Sequence, residues 1–131
     1  MNKYRTNLCS ELNISNLNED VTLSGWVDTI RDHGNLIFID LRDNFGITQC
    51  VVDSKHQSFD HISNLNHESV ITIKGQVIER SSQTINKSIT TGEIEIKIES
   101  YILLLRSDNL SSIFIVSATQ YFVLYSYIFV Y

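Results

Sequence analysis

The residues able to do chemistry in this 131-residue sequence are few and scattered. Asp40-Leu41-Arg42-Asp43 brings two carboxylates close together, but no partner base accompanies them. The run reads as a solvated strand end with a local ion pair. The four histidines, His33, His56, His61 and His67, lack metal-ligand spacing. His56 and His61 come nearest to it, yet on a helix their spacing sets them about 140° apart. Cys9 and Cys50 belong to no CxxC motif, so they read as reduced thiols and not as zinc ligands. The five glycines are dispersed and form no phosphate-cradling loop. No Ser/His/Asp or Cys/His arrangement emerges, and catalysis by these residues is not expected.

Binding chemistry is better represented. Between Leu36 and Arg42 the side chains alternate, with Ile37, Ile39 and Leu41 on an apolar face and Phe38, Asp40 and Arg42 on a polar one. A phenylalanine on the polar face of a strand is a stacking platform for a splayed nucleobase, worth about 1–3 kcal/mol per base. Gln49, in the next strand-like run, carries both a donor and an acceptor for a base edge. The net charge is −5, so a broad basic field is excluded and any RNA contact rests on a few placed side chains.

Those residues need strands to position them, and the sequence supplies five. Val21 to Val27 alternates, with Val21, Leu23, Gly25 and Val27 inward and Thr22, Ser24 and Trp26 outward. A polar turn is expected at Arg31–Asn35, then a strand at Leu36–Arg42, a hairpin turn at Asp43–Gly46 and a third strand at Ile47–Val52. From His56 to Asn66, Phe59, Ile62 and Leu65 recur every three residues, which predicts an amphipathic helix of about three turns. Val70 to Ile78 is the fourth strand, Ile71, Ile73 and Val77 facing inward. A polar loop covers 81–91. Glu93 to Glu99 is the fifth strand, with Ile94, Ile96 and Ile98 inward and Glu93, Glu95, Lys97 and Glu99 outward. The fold class is therefore all-β. Three strands, a helix and two strands are the order of the five-stranded Greek-key barrel called the OB-fold, whose helix lies between strands 3 and 4.

Residues 1–110 are expected to form this barrel, and the pattern then stops. From Ser111 to Tyr131 there is no charge, and seven of the thirteen aromatic residues fall there. Residues 111–131 thus read as an unrelated hydrophobic tail, a frameshifted or disordered end. A membrane anchor is the alternative, since Ile113 to Tyr131 would span about 28 Å as a helix, but flanking cations are missing and Gln120 interrupts the run. The N-terminus has no apolar h-region, so no secretory leader is expected and the cytoplasm is the expected location.

Several runs together carry a specific resemblance. Leu23-Ser24-Gly25-Trp26-Val27, Arg31-Asp32-His33-Gly34-Asn35-Leu36-Ile37-Phe38-Ile39-Asp40-Leu41-Arg42-Asp43, Gly46-Ile47-Thr48-Gln49, Thr91-Gly92-Glu93-Ile94-Glu95-Ile96 and the opening Tyr4-Arg5-Thr6 resemble bacterial aspartyl-tRNA synthetase. The likeness covers about residues 3–110. Lysyl- and asparaginyl-tRNA synthetases carry related barrels, but the Phe-Ile-Asp-Leu-Arg-Asp run favours the aspartyl family. The resemblance implies a barrel that grips the anticodon loop of aspartate tRNA. In it, Phe38 stacks on an anticodon base, Gln49 reads the central uridine and Arg31 contacts the loop. Glu95 helps recognise the first anticodon base, with Arg80 and Asn86 nearby. It also implies that ATP and Mg belong to a catalytic domain beyond the barrel. No cofactor is expected here, and the chain is expected to be a non-enzymatic, monomeric fragment.

Two departures from the family pattern bear on affinity. Asp28, Thr29 and Ile30 precede Arg31 where the family usually carries a basic triplet, and Asn66 stands where an arginine is common. Lost cations remove phosphate contacts, and Asp28 is expected to repel the RNA backbone. The alternatives are a general single-stranded nucleic-acid module and a membrane-attached protein that uses the tail.

Overall fold

Period-two alternation becomes a closed barrel in the computed structural model, which describes residues 4–106. The strands are β1 (Asp20–Asp32), β2 (Leu36–Arg42), β3 (Ile47–Asp53), β4 (Val70–Glu79) and β5 (Ile94–Leu105), with helix α1 (Phe59–Ser63) between β3 and β4. Their order around the barrel is β1-β2-β3-β5-β4. β1 pairs antiparallel with both β2 and β4, and a short parallel pairing of Cys50 with Ile96 and Val51 with Lys97 closes the wall between β3 and β5. This is the OB-fold expected from the element order. The tail at 111–131 lies outside the described residues.

The inward faces are those the alternation predicts. Val21, Leu23 and Val27 from β1, Ile37, Ile39 and Leu41 from β2, Ile71, Ile73 and Val77 from β4, and Ile94, Ile96 and Ile98 from β5 are all buried. Each such side chain contributes about 1.5–3 kcal/mol when fully removed from water. Leu12 and Ile62 add to the same core, with Phe59 and Leu65 packed against it. Cys9 and Cys50 are free and buried. Burial pushes both thiols well above their ordinary range, so neither is a nucleophile at neutral pH.

Four local expectations are corrected. First, β1 continues beyond Val27 through a register shift between Val27 and Thr29 and ends at Asp32. The bulge breaks the alternation at Asp28, which hides the strand from a period-two reading. Arg31 therefore lies on a strand, opposite Phe38, and the turn is narrower. Gly34 takes φ 79° there, its N–H donating to Asp32 Oδ1 at 2.8 Å. Second, the helix is five residues long rather than about three turns. Ser58 makes no side-chain cap, and His56 is spent on the preceding turn, where Nδ1 accepts from Ser58 N and Nε2 meets the Glu99 carbonyl at 2.8 Å.

Third, the outward residues Ser24 and Thr72 are buried, because the N-terminal segment lies over them. Ser24 Oγ donates to the Tyr4 carbonyl and shares a hydrogen bond with Thr72 Oγ1, while Thr6 N donates to Thr22 O at 2.8 Å. Fourth, Asp43 is no solvated strand end. It is buried, and its carboxylate accepts from the backbone N–H groups of Cys9, Phe45 and Gly46 at 2.8, 2.8 and 3.0 Å.

Candidate nucleic-acid interface

Asp40 of β2, Gln49 of β3 and Glu95 of β5 meet on the outer side of the barrel wall, with Asp40 and Glu95 partly exposed and Gln49 itself buried. Register dictates the meeting: Asp40 pairs with Gln49 across β2 and β3, and the parallel pairing of Cys50 with Ile96 sets Glu95 beside Gln49. Arg31 reaches in from β1. Its guanidinium makes a fork to Asp40, Nη1 to Oδ2 at 2.7 Å and Nη2 to Oδ1 at 2.9 Å. Nη2 also donates to Gln49 Oε1 at 2.9 Å, and Gln49 Nε2 donates to Glu95 Oε2 at 2.6 Å. One continuous chain of hydrogen bonds, Asp40–Arg31–Gln49–Glu95, thus spans four elements. Hydrogen bonding to Asp40 raises the Arg31 guanidinium above its already high value, so this cation is fixed in charge.

Phe38 stands beside this chain, half-buried, with His33 against it edge-on at 5.2 Å between ring centroids and 84° between planes. A shallow depression of about 250 Å³ opens next to it, lined by Leu36, Phe38, Val51, Asp53, Ile78, Glu95 and Lys97. An aromatic ring on an accessible depression, with carboxylate and ammonium groups at its border, suits a flat heterocycle with a polar edge.

Arg80, just past β4, is buried deeper. Nε donates to the Ile94 carbonyl at 2.8 Å and Nη1 to the Thr84 carbonyl at 3.1 Å. Nη2 is buried and has no acceptor among the described residues. Burial lowers the Arg80 pKa, while the charges of Glu95 and Asp40 pull it back upward. Arg80 therefore shares the electrostatic neighbourhood of the network without hydrogen-bonding to it.

Asn86 stands apart. It is exposed in the loop before β5, its Oδ1 accepts from Ser88 N at 2.9 Å, and it borders a separate depression with Ile85, Lys87 and Thr90. The structure thus joins Arg31, Gln49 and Glu95 directly, sets Phe38 and Arg80 around them, and leaves Asn86 outside. Asp40 and Lys97 belong to the same surface and were missed as site residues. Alternation alone puts Lys97 on the outward face with Glu95. Nothing in the local sequence pairs Asp40 with Arg31.

The charge at Asp28 is handled locally. Asp28 pairs with Arg42 at 2.5 Å, Arg42 pairs with Glu68 at 2.7 Å, and the Arg42 guanidinium lies 5.5 Å from the Trp26 ring centroid. The expected repulsion from Asp28 is thereby moderated, at the cost of holding Arg42 away from other anions.

The tRNA anti-codon family model, described as an OB-fold nucleic acid binding domain, matches residues 21–104. The chain belongs to this family. Among curated relatives of this anti-codon domain, the aspartate–tRNA(Asp/Asn) ligase of Pelagibacter ubique is 55% identical over 101 residues. The match covers 77% of this chain and 17% of that protein. The ligase of the same name from Rickettsia felis is 50% identical over 111 residues, covering 84% of this chain and 18% of that one. The chain thus spans less than a fifth of the length of these relatives. Asparaginyl-tRNA synthetase from Pyrococcus horikoshii superposes with a TM-score of 0.64 at 26% identity, over 76% of this chain and 22% of that one. Among the described residues of this family member, no helix is long and apolar enough to cross a membrane.

Proposed function

We propose that the barrel binds the anticodon loop of aspartate tRNA through the face that carries Phe38. The observation that supports this most is the convergence of a half-exposed aromatic ring with the Asp40–Arg31–Gln49–Glu95 chain on one surface. A single-stranded loop presents unstacked bases with free Watson–Crick edges. Phe38 offers a stacking surface. Gln49 keeps one N–H and one lone pair beyond those already used, a donor and an acceptor side by side. Among the described residues, Lys97 is the one cation lining the depression, Arg31 is engaged by Asp40 and Arg80 is buried, so base contacts carry more of the affinity than phosphate contacts do.

The test is a titration of the full chain against a GUC anticodon stem-loop at low salt, beside a loop with the central uridine changed. Preference for GUC by about tenfold or more is expected. Phe38→Ala is expected to weaken GUC binding about 5- to 150-fold, the equivalent of one lost stack, and Gln49→Ala to erase the preference. Equal or absent binding to both loops would overturn the assignment. The relatives' names specify both Asp and Asn tRNAs, so a GUU loop belongs in the same series, with binding comparable to GUC expected.

Recognition is the barrel's whole part in this scheme. Adenylate formation is assigned to none of residues 4–106, and the purified 131-residue chain is expected to give ATP–pyrophosphate exchange at background. Exchange above background in that assay would refute it.

A further inference from the structure

We propose that Asp40 is a positioning residue that fixes the direction of the Gln49 amide, and through it the choice between keto and amino bases. The proposal rests on the anticodon-loop assignment above. Gln49 lies between two partners of opposite character. Arg31 has donors and no acceptor, so the atom facing it must be Oε1; the Glu95 carboxylate has acceptors and no donor, so the atom facing it must be Nε2. The amide direction is thus dictated by chemistry on both sides.

The two anchors differ in permanence. Glu95 borders the depression beside Phe38 and is partly exposed, so a bound base competes for its carboxylate. Arg31 is held from behind by the Asp40 fork at 2.7 and 2.9 Å, which leaves Nη2 directed at Gln49 whether or not Glu95 turns away. Asp40 makes no hydrogen bond to Gln49 in this chain and acts through Arg31. A fixed amide presents its free N–H and its free lone pair in one order. For a base held in a given pose by stacking, that order matches the O4 and N3–H of uracil, and the flipped order matches the N3 and N4–H₂ of cytosine. Without the fork, Arg31 keeps its charge but loses its direction, and the amide is free to turn once Glu95 is engaged.

The variant is Asp40→Asn, measured in the full chain with GUC and GCC stem-loops. The ratio of affinities is expected to fall about tenfold, with GUC binding weakened and GCC binding unchanged or tightened. Asp40→Glu, which keeps the carboxylate, is expected to recover most of the ratio. Removing a negative charge near RNA predicts a different result, tighter binding of both loops at a constant ratio, and that outcome would overturn the proposal. So would uniform weakening of both loops with a lowered melting temperature, the mark of a merely structural role. A readout without RNA accompanies these. The Gln49 side-chain amide protons, assigned by their absence in Gln49→Ala, should exchange with solvent faster in Asp40→Asn than in the parent. Equal exchange would also count against it. A parent chain that binds neither loop refutes the anticodon assignment, whereas a parent that discriminates and a variant that discriminates equally refutes the role of Asp40 alone.

Discussion

Asp43→Ala is expected to lower the melting temperature of the barrel by roughly 15–30 °C, the largest effect of any single side-chain truncation on its polar groups. The carboxylate ties three backbone donors together. Oδ1 accepts from Phe45 and Gly46 and so shapes the β2–β3 turn, and Oδ2 accepts from Cys9, pinning the N-terminal segment to the barrel from 34 positions away. Asp43 and Cys9 are both buried, so water cannot easily replace the lost acceptor. An orphaned buried donor costs about 1–3 kcal/mol, and the Phe45 and Gly46 donors, nearer the surface, recover part of theirs. A total near 4 kcal/mol is about half the stability of an ordinary domain of this size. Asp43→Asn sharpens the test. Its single oxygen serves the turn, but its NH₂ then faces the Cys9 N–H, donor against donor, so most of the loss should persist. Thermal melts followed by circular dichroism decide it. An asparagine variant within a few degrees of the parent would mean that turn geometry, and not the link to Cys9, carries the stability.

Asp43 also marks where sequence reading stops. The faces of β2, β4 and β5 were legible because burial on one side of a sheet imposes a period of two that no other element shares. Phe38 and Glu95 were placed on the outer face by that alternation, whereas Gln49 was singled out for its amide and by the family motif, because β3 is buried along most of its length and shows no such period. What escaped depends on register. Gln49 and Glu95 are 46 positions apart, and they meet because the barrel closes with Cys50 opposite Ile96. Arg31 seemed to lie in a turn because the bulge after Val27 shifts the phase of β1, and only in the strand does it reach Asp40. A carboxylate flanked by polar residues looks solvated in sequence. Whether a distant N–H descends onto it is decided by the path of residues 4–12. The helix was overestimated for a related reason: three apolar anchors at equal spacing satisfy a short helix flanked by turns as well as a long one.

Gly75→Ala is expected to destabilise the chain by about 3 kcal/mol and to disturb the binding face as well as the core. Gly75 sits on the inward face of β4, where the pairing with β5 shifts register between Lys74 and Gly75. A Cβ there would lie 2.3 Å from the Lys97 carbonyl oxygen and 2.7 Å from Ile96 Cγ2. The first of these is backbone and cannot rotate away, so β4 or β5 must move. A strand glycine of this kind marks a close approach of another chain segment and not a need for unusual φ. Ile96 and Lys97 are also the two residues through which β5 pairs with β3, so displacing them opens the seam that holds Glu95 against Gln49. Stability and loop discrimination should therefore fall together. Gly34→Ala is the contrasting case, with open space around its Cβ but φ at 79°, and should cost about 1 kcal/mol from left-handed strain alone. Urea denaturation of both variants, with the GUC and GCC titrations repeated on each, separates the two demands. If Gly75→Ala costs no more than Gly34→Ala and leaves discrimination intact, β5 yields without opening the seam, and the coupling of core to binding face fails.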